Sequence, residues 1–401
     1  MKGNAKMAPR LNPHVYKKRS IQRFLSILLA LLLVFTSLTL FSCIVRSGEN
    51  PTGNPPTNTD PNKDPKADRI ITDKAGRTVT IPGVEALKKI YFTGASAEIY
   101  CFTLAPDLAA GTTYEFTAQE LAFLPKEVAS LKYLGTTSGS KQLNLEAIMA
   151  EGVQLIISVP MDKPEARDIT EADDIQGQTG IPVVVLDGSF ENMPSTYRFL
   201  GELLGRQQQA EVLAQYCETK YREVSAVVAS IAQKDRVSLY YAEGPDGLKT
   251  EPTTSPHALI FNLAGARNVV ELEAGQRVGM TDISLEQVIL LNPEVIITRS
   301  NAANGGAFEL IQSDNKWKTI KAVQTGRVYC MPGAPFAWCD RPPSVNRILG
   351  LQWVANMLYP DAYKVDMVQV TREFYSLFYH FELSDVQAKE LLGNSYPTYK
   401  K

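Results

Sequence analysis

The strongest constraint on this chain is a long-range internal repeat. Leu143–Ser158 reads LNLEAIMAEGVQLIIS, and Ile283–Thr298, 140 positions further on, reads ISLEQVILLNPEVIIT. Each copy runs a polar residue, Leu, Glu, a short apolar helical segment, a break at Gly152-Val153 or Asn292-Pro293, and then a β run. Solenoid repeats recur at about 20–50 residues, so an interval this long speaks for two lobes of like fold. The coincidence of Leu145-Glu146 with Leu285-Glu286 separates the pair from any amphipathic helix that happens to feed a buried strand. Two such lobes leave a cleft between them, and clefts between domains commonly hold small ligands.

Around the two copies, strands alternate with helices, the pattern of βαβ units and a parallel sheet. The first lobe, residues 69–204, opens with RIITDKAGRTVTIPG, two short strands about a turn at Lys74-Ala75-Gly76. A strand over Lys89–Phe92, a helix over Ala97–Leu104 and a strand over Leu108–Gly111 are expected next. The run GIPVVVLDG has the unbroken β-branched character of a parallel strand buried on both faces. From Gly205 to Ile231, apolar residues recur every three or four positions, which predicts one helix of about 40 Å. Residues 205–233 thus form a stiff spine between the lobes. The second lobe, residues 234–357, carries a strand over Val237–Ala242, a loop to Pro256, a helix over His257–Ala264 and a strand over Asn268–Leu272. The second repeat copy, a helix over Gly306–Gln312, a strand over Arg327–Met331 and a loop over Pro332–Ser344 follow. Residues 358–401 read as helical to about Leu392. The expected fold class is α/β: two Rossmann-like βα lobes joined by one long α-helix, with the ligand cleft between the lobes.

The N-terminus is an export address rather than a fold element. Residues 1–42 carry seven basic side chains and no acidic one, and an uncharged apolar run from Phe24 to Ser42 follows Arg23. That is the layout of a signal peptide. Leu40-Phe41-Ser42-Cys43 resembles a bacterial lipobox, in which Cys43 is lipidated and becomes the mature N-terminus. An uncleaved membrane helix is the competing reading, since about 20 apolar residues span a bilayer. Both place the rest of the chain outside the cytoplasm, because the basic flank stays inside. Residues 43–68 read as a disordered tether: Ser47–Lys66 holds five prolines and no large apolar side chain, too little to offset the entropy of ordering.

The formal net charge of −2 conceals an asymmetry. Without the seven leader cations, 34 basic side chains face 43 acidic ones, a balance of −9. So acidic a body excludes a nucleic-acid binder, which needs clustered Lys and Arg to neutralise phosphates. Of the five Cys, Cys43 goes to lipid, and Cys101 and Cys217 fall in helical patterns as small buried residues. Cys330 and Cys339 flank a proline-rich loop, and their pairing stays open. Gly94-Ala95-Ser96-Ala97-Glu98 falls one Gly short of a nucleophile elbow. Gly244–Gly247 lacks the Lys-Ser/Thr of a phosphate loop. The chain therefore reads as a binding protein and not an enzyme, a membrane-tethered chelatase-like or hydrolytic protein being the alternative.

Taken in order, ITDKAGRTVTIP, the two repeat copies, GPDGLKT ahead of SPHALIFNLAG, ARNVVE, WKTIKAVQTGRVYCMPG and PFAWCDRPPSVNRILGLQWVANMLYP resemble one class of bacterial proteins. These are the substrate-binding proteins of ABC importers whose lobes are joined by one long helix, the TroA-like class III. The resemblance runs from about Arg69 to beyond Pro360. It implies an extracytoplasmic lipoprotein that holds no intrinsic cofactor, captures a metal-containing small molecule and hands it to a permease dimer with its cytoplasmic ATPase. Members bind iron–siderophore complexes, haem, cobalamin and some metals or oxyanions. The resemblance also implies that Glu146 and Glu286 dock onto arginine pockets of the permease. Two carboxylates on a pseudo-symmetric body suit a two-fold partner through charge-assisted pairs; each Glu alone is equally explained by the helix dipole.

Open α/β sheets bind ligands at the carboxyl ends of their strands. That sets Ser96, Tyr114 and Met161 of the first lobe opposite His257, Arg299, Trp338 and Arg341 of the second. Tyr114, Phe336 and Trp338 suit stacking on a flat ligand. Arg299 and Arg341 suit an anionic chelate or oxyanion, with pairing to Asp340 the competing role for Arg341. His257 is the single metal-ligand candidate and equally a capping residue. One His does not complete a zinc shell, and the sequence shows no carboxylate cluster for a hard ion. The expected ligand is a pre-formed complex, a ferric siderophore first, with cobalamin, haem or a molybdate-like oxyanion next.

Overall fold

The computed structural model describes residues 64–139, 141–271 and 279–395. The leader, Cys43 and the tether as far as residue 63 lie outside the described residues, as does the end of the strand expected to reach Leu272. Among the described residues no helix is long and apolar enough to cross a membrane.

The first lobe opens with the antiparallel pair β1 (Arg69–Thr72) and β2 (Thr78–Ile81). Its sheet is parallel, in the order β3 (Ile90–Phe92), β4 (Leu155–Ser158), β5 (Val183–Val185), with Ile90 opposite Leu155 and Ile156 opposite Val183. All three strands are covered on both faces, which is why IYF, LIIS and VVV show no polar alternation. The strand expected over Leu108–Gly111 is reduced to a bridge between Ala109 and Ile90. Pro106–Leu108 tightens into a 3₁₀ turn. The buried Tyr91 hydroxyl lies 2.8 and 2.7 Å from the Thr112 and Gly135 carbonyls, and Thr112 also accepts the Leu134 N–H at 3.0 Å.

The second lobe contains β6 (Ser238–Ala242), β7 (Lys249–Thr250), β8 (Arg267–Asn268), β9 (Thr281–Asp282), β10 (Val295–Thr298) and β11 (Val328–Cys330). Its parallel sheet runs β11-β10-β6-β8, and β7 pairs antiparallel with β9 beside it. Side chains alternate across this sheet with period two. Leu239, Tyr241, Val295 and Ile297 enter a core continuous with the first lobe, whereas Tyr240, Ala242 and Ile296 enter a second core around Trp317.

The repeat copies occupy equivalent places. Helices Leu145–Ala150 and Leu285–Leu291 feed β4 and β10, and both strands are paired on both sides. Asn144 and Ser284 cap these helices by accepting from the Ala147 and Gln287 N–H groups. Ile148 and Val288 point inward, and Glu146 and Glu286 stand exposed in the first turns.

The helix expected over Gly205–Ile231 is present as Gln207–Ala229, and a second helix not expected from the sequence precedes it. Helix Met193–Leu204 ends at Gly205, whose φ of +70° stops it, and helix Gln207–Ala229 follows. Its 23 residues span about 35 Å. The two cross so closely that a Cβ on Gly201 would lie 2.4 Å from that of Ala210. Arg198 ties them outside, bonding Glu211 at 2.7 and 3.0 Å and Glu218 at 2.6 and 3.2 Å. Helix Ala166–Thr179, unmarked by any strong apolar stripe, packs on β5. Three helices end the described chain: Asn346–Leu358, Met367–Tyr379 and Asp385–Leu392. The second of these returns to the first lobe, with Phe378 against Tyr197 and Tyr375 against Phe123.

Candidate functional site at the strand ends

In the first lobe, β3 runs through Thr93 and Gly94 into helix Ala95–Leu104. Gly94 lies close under Ser138, whose hydroxyl a Cβ would approach to 3.2 Å. Ser96 sits half-buried in the first turn, and Met161 half-buried in the loop after β4. Glu98, one helical turn inside, is fully buried and accepts from the Thr113 N–H at 2.9 Å and hydroxyl at 2.6 Å. Burial pushes its carboxyl up to about 8 although both Thr113 donors pull it down. Next to Thr113, Tyr114 is 45% exposed and begins a row of rings: Tyr114 to Phe116 at 5.2 Å, then Phe116 edge-on to Phe336 of the second lobe at 5.5 Å. Burial raises the Tyr114 phenol, as does Glu120, and Arg299 of the facing lobe opposes both.

The second lobe concentrates charge. Glu243 directly follows β6, Arg299 follows β10, and Asp340 and Arg341 lie in the loop after β11. Glu243, Glu251 and Asp340 are all fully buried around the Arg341 guanidinium. Arg341 donates to Glu243 Oε1 at 2.7 Å, to Glu251 Oε1 at 2.6 Å and to Asp340 Oδ2. Burial works against its charge, but Asp340, Glu251 and Glu243 outweigh it and hold the guanidinium above its ordinary value. Asp340 also accepts from the Tyr241 hydroxyl at 3.2 Å and pairs with His257 Nδ1. Arg347, buried behind Asp340, donates to the Pro256 carbonyl at 3.2 Å and is lowered by burial against the pull of Asp340.

This arrangement sorts the candidate residues. Arg341 pairs with Asp340, and its side chain keeps 24% of its surface. A guanidinium has five N–H donors; three bonds are made to carboxylates, and two donors remain without a partner among the described residues. Arg299 is half-buried and makes no side-chain hydrogen bond or ion pair among the described residues. His257 precedes helix Leu259–Leu263 instead of opening it and is spent on Asp340. Trp338, by contrast, is 1% exposed and packs edge-on against Trp353 at 6.4 Å, a core residue that presents no face for stacking. The carboxylate cluster not apparent in the sequence exists as Glu243, Glu251 and Asp340, but Arg341 occupies its centre. Among the described residues, no group of three or more His, Cys, Asp or Glu side chains is arranged to hold a metal ion. Cys101, Cys217, Cys330 and Cys339 are all unpaired.

A buried charged bracket at the strand ends of one lobe, facing a less charged counterpart, is a receptor for a solute. Residues 125–335 match the periplasmic binding protein family. The chain belongs to that family. It is 24% identical to the molybdate-binding protein MolA of Haemophilus influenzae over 335 residues, 78% of this chain and 91% of that protein. It is also 24% identical to the uncharacterised ABC transporter substrate-binding lipoprotein YvrC of Bacillus subtilis, over 73% of this chain and 86% of that one. An ABC transporter solute binding protein from Sulfurospirillum deleyianum has a similar structure, with a TM-score of 0.72 and 32% identity, covering 80% of this chain and 98% of that one. The protein is thus a class III substrate-binding component of an ABC importer, a role exercised outside the cytoplasm with a permease and its ATPase. The family's relatives serve transport, not catalysis.

Proposed function

We propose that this binding protein captures a small metal-containing oxyanion of the molybdate type and delivers it to its permease. The observation that carries this is Arg341, held by three buried carboxylates with two N–H donors left over, together with Arg299 after β10, which makes no side-chain ion pair among the described residues. A pre-positioned guanidinium loses little entropy on meeting an oxyanion and recognises its geometry. MolA, named for molybdate, supports the same chemistry. The anionic ferric siderophore first expected from the sequence is the second reading, favoured by the row Tyr114–Phe116–Phe336 that crosses between the lobes.

Melting and calorimetry with molybdate, tungstate and a ferric catecholate chelate separate the two. A ligand at a hundredfold excess over its Kd stabilises the protein by about 3 kcal/mol. A shift with the oxyanions alone supports the first reading, and one with the chelate alone moves the assignment to the second. No shift with either removes the anion proposal.

Delivery is proposed to use Glu146 and Glu286, exposed at matching places on the two lobes, each with an exposed apolar neighbour one turn on, Met149 and Ile289. Lipid attachment at Cys43 is proposed as the anchor, checked by mass spectrometry of the mature N-terminus.

A further inference from the structure

Glu243 is the one carboxylate among the described residues with a buried oxygen that lacks a partner. Its carboxyl is fully buried; Oε1 accepts from Arg341, and Oε2 has no hydrogen-bond donor among the described residues. A buried carboxylate with one bare oxygen is the state that burial penalises most. A proton on Oε2 removes the charge and converts that oxygen into a donor. An acceptor is at hand, because Glu251 accepts from the same Arg341 guanidinium as Glu243, at 2.6 and 2.7 Å. Glu251 itself is a well-served acceptor, receiving the Ser255 hydroxyl at 2.6 Å, the Met280 N–H at 3.0 Å and Arg341.

The surrounding charges agree. Tyr240 and Tyr241, the phenols nearest Glu243, are raised by burial and stay neutral donors to the Gly247 carbonyl and to Asp340. Lys249, paired with Glu243 along the backbone, spends its ammonium on Asp282 at 2.7 Å. With Glu243 ionised, three buried carboxylates face the Arg341 and Arg347 guanidinia. With Glu243 protonated, Asp340 and Glu251 balance those two cations, and the charge of Arg299 is left for an incoming anion.

We infer that Glu243 and Glu251 share one proton behind Arg341, and that anion capture is lost when this proton leaves. Burial, opposed by Arg341 and reinforced by Asp340 and Glu251, pushes Glu243 up to about 8, while Glu251 is lowered. The pair therefore holds its proton at neutral pH and releases it above about pH 8. Affinity for an anion is constant below that point and falls by up to about tenfold per pH unit above it.

The coupling to capture rests on the proposed anion reading; the resting proton does not. In the full-length protein without added ligand, infrared difference spectra against Glu243→Gln should show a protonated-carboxyl C=O band that titrates away above about pH 8. Calorimetry with molybdate between about pH 6.5 and 9.5, in buffers of differing ionisation enthalpy, should show proton uptake on binding that rises from none towards one. The wild-type slope should vanish in Glu243→Gln; if that variant does not fold, the wild-type proton count still decides. A missing carboxyl band at neutral pH overturns the shared proton whatever binds. Molybdate binding without proton uptake or pH slope overturns the coupling. A band with no molybdate binding at any pH removes the anion reading and the coupling with it, and leaves the shared proton standing.

Discussion

The two lobes differ most where they face each other. The first lobe buries two carboxyls apart from each other: Glu98, satisfied by the neutral donors of Thr113, and Asp73, paired with Arg77 beside the end of β5. The second buries three and closes them around a guanidinium. Their outer rims stay alike: capped helices, an exposed Glu in each first turn, and Ile148 or Val288 pointing inward. A duplicated unit has thus kept its outward chemistry and divided the labour of its inward face. We propose that one lobe supplies shape and polar contact to the ligand and the other supplies charge.

The sharpest way to break this comparison is to remove the shared rim. Glu146→Ala with Glu286→Ala is expected to lower solute uptake by cells at least a hundredfold while calorimetric affinity is unchanged, and each single substitution should fall between. Unimpaired uptake by the double variant rejects docking through the matched pair. Next in size is Arg341→Ala, which strands three buried carboxylates. Breaking a buried ion pair costs about 3–5 kcal/mol, so denaturant unfolding should reveal a loss of that order and anion binding should disappear.

The first lobe should respond more gently. Thr113→Val removes one of the two donors on Glu98 and is expected to cost about 1–3 kcal/mol, with a small effect on anion affinity. An effect on affinity as large as that of Arg341→Ala would erase the proposed division of labour. Apart from the substitutions stands the pH dependence of melting. Glu98 and Glu243 are both pushed up to about 8, so the folded state holds protons that the unfolded chain has already released. Stability contributed by these protons is complete below about pH 4.5, declines as pH rises and is gone above about 8. The melting temperature should fall as pH rises over that range, and Glu98→Gln should lessen the fall.

Much of the architecture was legible because its signals are local. A helix that feeds a buried strand announces itself within sixteen residues, and two such units at matched places imply two lobes. The start of the long helix near Gly205 was legible, but the helix Met193–Leu204 ahead of it was not. It is the positive φ of Gly205 and the tight Gly201–Ala210 crossing that end one helix and begin another. The charged site was half legible. Arg341 and Arg299 stand out as cations in strand-end loops, but Glu243 and Glu251 lie some ninety residues or more from Arg341, and nothing in the local pattern marks them as its partners. The one clue was Glu243 itself, a carboxylate placed directly after a strand that is buried throughout. Trp338 misleads for the opposite reason: an aromatic residue in a proline-rich loop looks exposed until Trp353, on the helix that follows, is seen to cover it.

The return of helix Met367–Tyr379 to the first lobe has a consequence for biogenesis. Phe123 and Tyr197 are made early, whereas Tyr375, Phe378 and Phe381, against which they pack, follow more than 180 positions later. Until that helix has been made, these rings of the first lobe lack their partners, so a chain truncated just short of it is expected to expose them to chaperones and proteases.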